Sequence, residues 1–499
     1  MPEAGGRVAV SLSRRELLRC GACLGLPGGG LVALLAACGG GAATPTSAPS
    51  TTAGSAATTA TAPSVARTVG SSPAPPVGPS ATATRASGTA ASTATVGSDA
   101  PPIIFVHGNG DSSALWLTTV WRFESQGWPR DRLVALDFPD PNARDDDTVP
   151  QPGRSGTDEQ RAYLAARVDD VLARTGAPRA VLVGNSRGGY AIRNYLKNGG
   201  VAKVGHAILC GTPNHGVSAH LPANSEFNGA GPFLTALNAG GAVVSGVATM
   251  TIRSDRNDKF AQPGIAPGVG YDGPELRGAT NVILDGVDHR ETAYSARAFA
   301  EMHRFLTGRA PAAPAIAPEP AVQLAGRITG YESKVPTNRG MGGVAVTVFA
   351  TDPATGARVG GALYRGTTDP DGRWGPVTAG PTAPCEFVVA APGAPTRHFF
   401  RSPFPRSSPY VSMRLFEDPA EPGKGLIIFT RPRGYVATGR DQHLLDGRPV
   451  PGVKPGVPTD ASFKVPFDPP ERAVPAALNG EALTVRAIPD AVVYAEFQD

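Results

Sequence analysis

Between residues 101 and 309 short apolar runs alternate with longer amphipathic stretches. Ile103-Ile104-Phe105-Val106, Leu133-Val134-Ala135-Leu136 and Ala180-Val181-Leu182-Val183 contain no polar position, which predicts strands buried on both faces. Residues 206–210, 248–252 and 282–284 continue the series. The stretches between them have helical periods. Residues 113–126 read as a helix. Thr157-Asp158-Glu159-Gln160 has the form of a capping box, and Leu164, Val168, Val171, Leu172 and Thr175 follow at helical spacing up to Gly176. A helix follows the third strand through Leu196, and another spans 291–306, with Phe299, Met302, Phe305 and Leu306 on its buried side. Strands alternating with helices predict an α/β fold, a mostly parallel sheet covered by helices on both faces.

Past residue 309 the period changes. Residues 310–321 are rich in Ala and Pro and read as a stiff linker. Residues 324–331, 343–350 and 387–391 then alternate as strands, and Asp369-Pro370-Asp371-Gly372 reads as a turn. No long helical period returns. The expectation is an all-β, sandwich-like C-terminal part in two units, 322–418 and 419–499, the second with strands at 426–430, 461–466 and 483–487. The first unit resembles a carboxypeptidase-regulatory-like or transthyretin-like β-sandwich. Asp369 and Asp371 are read as a solvated turn rather than a Ca²⁺ site. Phe399, Phe400 and Tyr410 are read as core rather than as contacts to a polymer.

Composition changes the picture at the N-terminus. From Gly39 to Ala100, 55 of 62 residues are Ala, Thr, Ser, Pro or Gly, too little apolar surface to offset the entropy of ordering. A tether of that length has an r.m.s. span of about 40–50 Å. Ahead of it, Ser13-Arg14-Arg15-Glu16-Leu17-Leu18 precedes an apolar stretch, 22–37, interrupted by Pro27-Gly28-Gly29-Gly30. That stretch is too short and broken for a stable membrane-spanning helix. It resembles a twin-arginine export signal, and Leu35-Ala36-Ala37-Cys38 resembles a lipobox. The resemblance implies a signal over 1–38, acylation of Cys38, a linker over 39–100 and a lipoprotein anchored to a membrane and facing the periplasm or the cell exterior. The alternative is cleavage near Ala37 and a free secreted protein. Cys210 and Cys385 fall in different predicted domains and are read as buried thiols rather than a disulfide. A net charge of +4 over 499 residues gives no footprint for nucleic acid.

The chemistry centres on Gly184-Asn185-Ser186-Arg187-Gly188, which follows a predicted strand and opens a predicted helix. In a G-x-S-x-G turn the glycines leave room for a sharp bend that exposes the serine hydroxyl, and the helix N-terminus behind it favours an anionic intermediate. With that context the 101–309 region resembles the α/β-hydrolase superfamily, in particular bacterial lipase-like carboxylesterases and polyester depolymerases. The resemblance implies Ser186 as nucleophile. It implies oxyanion donors from the backbone N–H groups of Asn109, in His107-Gly108-Asn109-Gly110, and of Arg187. The side chain of His107 is read as structural.

In the Ser–acid–His order of that fold, His289 is the base. The acid is Asp258, with Asp255 as the alternative. The Gly211–Gly216 segment resembles a pocket-shaping segment of lipases. Leu221, Phe227, Phe233, Leu234 and Leu237, within 217–247, are read either as a lid or cleft wall or as a packed patch. No metal-ligand spacing occurs, and the glycine-rich turns lack the Lys-Ser/Thr of a phosphate loop, so no cofactor is expected. The expected activity is hydrolysis of carboxylic esters, of lipid or insoluble polyester, through an acyl-enzyme. The alternatives are an amidase or thioesterase on the same fold, or a surface-binding lipoprotein without catalysis.

Overall fold

The computed structural model describes residues 99–262, 273–415 and 421–498. The twin-arginine segment, Cys38 and the tether up to residue 98 lie outside them. No helix among the described residues is long and apolar enough to cross a membrane.

Six strands form the first sheet: β1 (Ile103–Val106), β2 (Leu133–Ala135), β3 (Ala180–Asn185), β4 (Val204–Cys210), β5 (Ala248–Ser254) and β6 (Thr280–Leu284). All pair in parallel, in the order β2-β1-β3-β4-β5-β6. Parallel strands need covered crossovers, and both faces are covered. Ile103 and Phe105 point to one face, where Val120 and Phe123 of helix α1 (Leu117–Ser125) pack. Ile104 and Val106 point to the other. There they meet Leu164, Val168 and Val171 of α2 (Thr157–Thr175) and Ala191, Ile192 and Leu196 of α3 (Arg187–Lys197). The strand order reverses between β1 and β3, so the carboxyl ends of these two strands open the crevice where such sheets carry their sites.

Local sequence decides where the helices begin and end. The capping pattern is one residue earlier than expected. Glu159 Oε2 accepts from the N–H of Gly156 at 2.8 Å, and Asp147 takes the N–H of Thr157 at the same distance. Gly176, at φ 65°, closes α2. After α4 (Pro232–Asn238), the single closing helix expected over 291–306 is two, α5 (Glu291–Tyr294) and α6 (Ala296–Thr307). Ser295 leaves helical geometry at ψ 153° and caps α6 by accepting the Ala298 N–H.

The β region differs from the expected two units. A seven-stranded sheet runs β10 (Arg358–Thr367), β9 (Ala345–Thr351), β12 (Cys385–Ala390), β13 (Arg397–Arg401), β21 (Val492–Glu496), β15 (Gly425–Thr430) and β18 (Ser462–Phe467). Strands from both sides of residue 418 therefore share one sheet, and the final strand inserts in parallel between β13 and β15. Leu426 and Ile428 face a core that holds Phe387 and Val389, while Ile427 and Phe429 face a second core with Val474 and Val485. Burial on both sides explains the unbroken apolar run 426–429. One flanking sheet contains β7 (Val322–Glu332), β8 (Val335–Gly340), β11 (Arg373–Ala379) and the short β14 (Met413–Arg414). The other contains β16 (His443–Leu445), β17 (Arg448–Pro449), β19 (Arg472–Leu478) and β20 (Glu481–Ala487). Phe399 and Phe400 are buried, and the Asp369 carboxylate closes its turn by accepting the Arg373 N–H. Cys210 and Cys385 are free and buried, and burial pushes the Cys385 thiol up to about 12.

The β region is fused to the sheet domain. Leu117 and Trp121 of α1 belong to the same core as Phe387 and Phe404. The 310–321 segment is stitched to α1 rather than spanning free space. Ala312 N–H donates to Gln126, the Gln126 amide donates to Ala313 O, and Ala317 N–H donates to Ser125 Oγ. Glu319 takes the N–H and hydroxyl of Ser407 and pairs with Arg130 and Arg406. Tyr410 Oη accepts from Ala135 N–H at 3.0 Å and donates to Leu133 O at 3.3 Å, capping the outer edge of β2.

Candidate active site

Ser186 sits at the end of β3 with φ 53° and ψ −120°, a region that residues with a Cβ rarely occupy, at a cost of about 1–3 kcal/mol. The surroundings enforce it. A Cβ on Gly188 would stand 2.3 Å from Val106 O, and one on Gly184 would stand 2.8 Å from the Gly188 carbonyl carbon. These approaches are why the motif needs glycine at both ends. The Ser186 N–H donates to Cys210 O at 2.8 Å, fixing the bend to β4. Arg187 opens α3, so its N–H is among the first-turn donors that no helix carbonyl satisfies.

The loop after β1 lies against this bend. Val106 pairs with Gly184, and a Cβ on Gly108 would be 3.0 Å from Ser186 Cβ. Asn109 Oδ1 accepts from Ala143 N–H at 2.7 Å, and Gly110 N–H donates to Pro141 O. His107 Nε2 accepts from Phe138 N–H at 3.1 Å and Nδ1 lies 2.8 Å from Gly108 O, so its ring braces the turn. Burial lowers its pKa and favours the neutral ring.

The structure brings Asp258 and His289 together. Asp258 Oδ2 is 2.8 Å from His289 Nδ1, and Oδ1 accepts the N–H groups of Phe260 and Ala261. Asp255 turns elsewhere and accepts from Gly286 N–H and Ser254 Oγ. His289 Nε2 is buried with no hydrogen-bond partner among the described residues, so it is not bonded to Ser186 Oγ in this state. Its backbone is fastened close to the serine: His289 O accepts from Thr292 Oγ1 and from Asn185 Nδ2, the residue before Ser186. The ring packs edge-on against Phe260 at 4.9 Å.

Several site residues were not singled out from the sequence. Arg187 also carries a buried side chain, bidentate to Glu226 at 2.5 and 2.7 Å and bonded to Ser155 O and Pro141 O. Asp288, just before His289, is fully buried. Oδ1 takes the N–H groups of Arg290 and Glu291, and Oδ2 takes the N–H of Tyr435 at 2.6 Å and Arg431 Nη1 at 3.4 Å. Burial and the neighbouring Glu291 raise its carboxyl to about 6, against the pull of Arg431 and Arg440. Arg431 and Arg440 also bind Glu291. Asn338 Nδ2 reaches Asp111 O and Phe138 O, and Arg414 Nη1 reaches Gly110 O. Residues of the β region thus hold both loops of the site. Nothing in the local sequence marks Asn338, Arg414 or Arg431, because each reaches its loop from more than 140 positions away.

Among the residues read as a lid or wall, Leu221, Phe227, Leu234 and Leu237 are buried in one cluster with Tyr190 and Phe260, and Phe233 is half-buried on it. They form a packed patch beside the histidine loop.

Residues 101–236 match the family model for the alpha/beta hydrolase fold, and residues 320–417 match that of a lipase C-terminal domain. The second match falls on the segment expected as the first β unit, 322–418. Among solved structures, an esterase from Rhodococcus sp. is 20% identical over 43% of this chain and 92% of its own, with a TM-score of 0.28. A carboxylesterase from Bacillus subtilis is 17% identical over 42% of this chain and 85% of its own, with a TM-score of 0.27. A lipase from Bacillus licheniformis in its propeptide form is 14% identical over 79% of this chain and 75% of its own, with a TM-score of 0.34.

Proposed function

We propose that this chain, an α/β-hydrolase followed by a lipase C-terminal domain, hydrolyses carboxylic esters with Ser186 as nucleophile, His289 as base and Asp258 as its acid. The observation that carries this reading is the 2.8 Å contact between Asp258 and His289 Nδ1, with Nε2 buried, unpartnered and fastened beside the serine bend. A carboxylate on Nδ1 selects the tautomer whose Nε2 can accept a proton. The reading requires the Ser186 hydroxyl to meet that nitrogen once substrate is bound, as catalytic hydrogen bonds often tighten only then.

In the cycle, His289 Nε2 takes the Ser186 proton as Oγ attacks the ester carbonyl. The N–H groups of Asn109 and Arg187 stabilise the oxyanion. His289 returns the proton to the leaving alcohol, and a water activated the same way releases the acid from the acyl-enzyme. Asp258 orients the ring through Nδ1 and stabilises the imidazolium without taking its proton.

Lipid or insoluble polyester is the proposed substrate class, and export with anchoring through acylated Cys38 is the proposed setting. The experiment is labelling of the folded chain by a serine-directed fluorophosphonate, combined with release of acid from p-nitrophenyl esters of graded length and from polyester film. Wild type labels and releases acid, and Ser186→Ala does neither. Absence of labelling in wild type returns the chain to a binding role, and faster turnover of matched amides or thioesters moves it to those classes. Loss of the membrane-bound fraction in Cys38→Ala tests the anchor.

A further inference from the structure

Where the β region meets the sheet domain, a cavity of about 130 Å³ is lined by Arg290, Arg401, Arg414 and Arg433 against Asp111 and Glu496. Two of the arginines have counter-charges: Arg290 Nε lies 3.2 Å from Asp111, and Arg401 Nη2 lies 2.8 Å from Glu496. The other two make no ion pair among the described residues. Arg414 donates to Gly110 O at 3.0 Å and to Asn338 Oδ1 at 2.6 Å. Arg433 donates to Gln498 O at 2.9 Å and to Phe497 O at 3.2 Å. Arg290, Arg401 and Arg433 are buried, at 7%, 5% and 4% exposure. The Nε donors of Arg401 and Arg414 are buried without an acceptor.

The lining itself holds four guanidiniums and two carboxylates, while Asp137 and Glu481 act on Arg414 and Arg433 only from behind the wall, without an ion pair among the described residues. Withdrawing such charges from water without a counter-ion is costly, and neutral carbonyls recover only part of that cost. Burial pulls the Arg414 and Arg433 guanidiniums below their ordinary range. The guanidinium fork matches tetrahedral oxyanions, and the volume exceeds that of several waters.

We propose that this cavity binds a small multivalent oxyanion of the phosphate or sulfate class, shared between the sheet domain and the β region. Its charge balances Arg414 and Arg433, and it lies next to the segment 110–112 that continues the loop after β1. The ligand is either the free ion or the phosphoryl group of a phosphomonoester.

The test is calorimetric and thermal titration of the full chain with inorganic phosphate, with glycerol 3-phosphate, and with chloride at matched ionic strength. We expect saturable one-to-one binding of phosphate and a rise in Tm of several degrees that chloride does not reproduce. Competition by glycerol 3-phosphate identifies the ligand as a phosphomonoester, and its failure to compete identifies the free ion. Arg433→Gln weakens phosphate binding by about tenfold or more and leaves hydrolysis of a soluble ester within about twofold of wild type. No saturable response in wild type, an equal response to chloride, or unchanged affinity in folded Arg433→Gln overturns the proposal. The wild-type titration decides the matter alone if the variant does not fold.

Discussion

Asp255 and Asp258 are neighbours in sequence whose carboxylates end in different surroundings. Asp258 is buried against His289 and held by two backbone N–H groups, whereas Asp255 serves the turn at Gly286. Asp258→Asn therefore lowers kcat/KM on a p-nitrophenyl ester by about 10³–10⁴-fold, and Asp255→Asn by less than about tenfold. Equal losses in the two variants would contradict that division of roles. At Gly188 the steric argument predicts a folding defect. With Val106 O 2.3 Å from the added Cβ, Gly188→Ala costs about 3 kcal/mol in chemical denaturation, whatever it does to turnover. The serine bend was legible from five consecutive residues because a strand-to-helix turn is a local constraint. The choice between the two acids was not, because it depends on which carboxylate a turn points at a residue some thirty positions away. The role of Arg187 was half legible: the motif announces its N–H, but nothing local announces Glu226.

The elements around the site were readable where burial is two-sided. Apolar runs announced the central strands, and helical spacing announced α2 and its glycine stop. The β region was less legible, since β10 and β19 carry Arg, Gly and Pro among their apolar positions and do not stand out as strands. Its sheet order was hidden entirely, because a final strand that inserts between two earlier ones leaves no local mark. The same holds for the clamp on the histidine loop. Arg431 lies 143 positions from Asp288. We expect Arg431→Gln to lower kcat by about tenfold with little change in KM, because it loosens the element carrying His289 without touching substrate. A parallel loss in both constants would point to the pocket instead. The docked linker gives a pH signature. Burial raises the Glu319 carboxyl, but the hydrogen bonds from Ser407 and Arg130 prevail and hold it at about 2. A carboxylate held low in the folded state stabilises fully above its ordinary value near 4.5, and that stability fades as pH falls towards 2. Glu319→Gln is thus less stable than wild type at pH 7 in urea melts, and the gap narrows below about pH 4.5. A gap independent of pH would remove the charge from the argument.

At the scale of the molecule, the hydrolase domain is incomplete without the β region. Leu117 and Trp121 complete a core whose other members come from that region, and both site loops are fastened from there. A chain ending at residue 309 is expected to be insoluble or to bind hydrophobic dye, with ester hydrolysis at least about 100-fold below the full chain. A soluble, active fragment would show that the two parts are only tethered. This dependence explains why the sequence divided so readily into domains and so poorly into folding units: composition marks where a period changes, not which surfaces touch. Tyr410 adds a protective role. Its hydroxyl occupies the outward N–H of Ala135 and carbonyl of Leu133, the groups with which a stray extended chain would start a new ladder. One aromatic side chain thereby guards the sheet's margin, so that two copies meeting edge to edge find no free ladder on which to join.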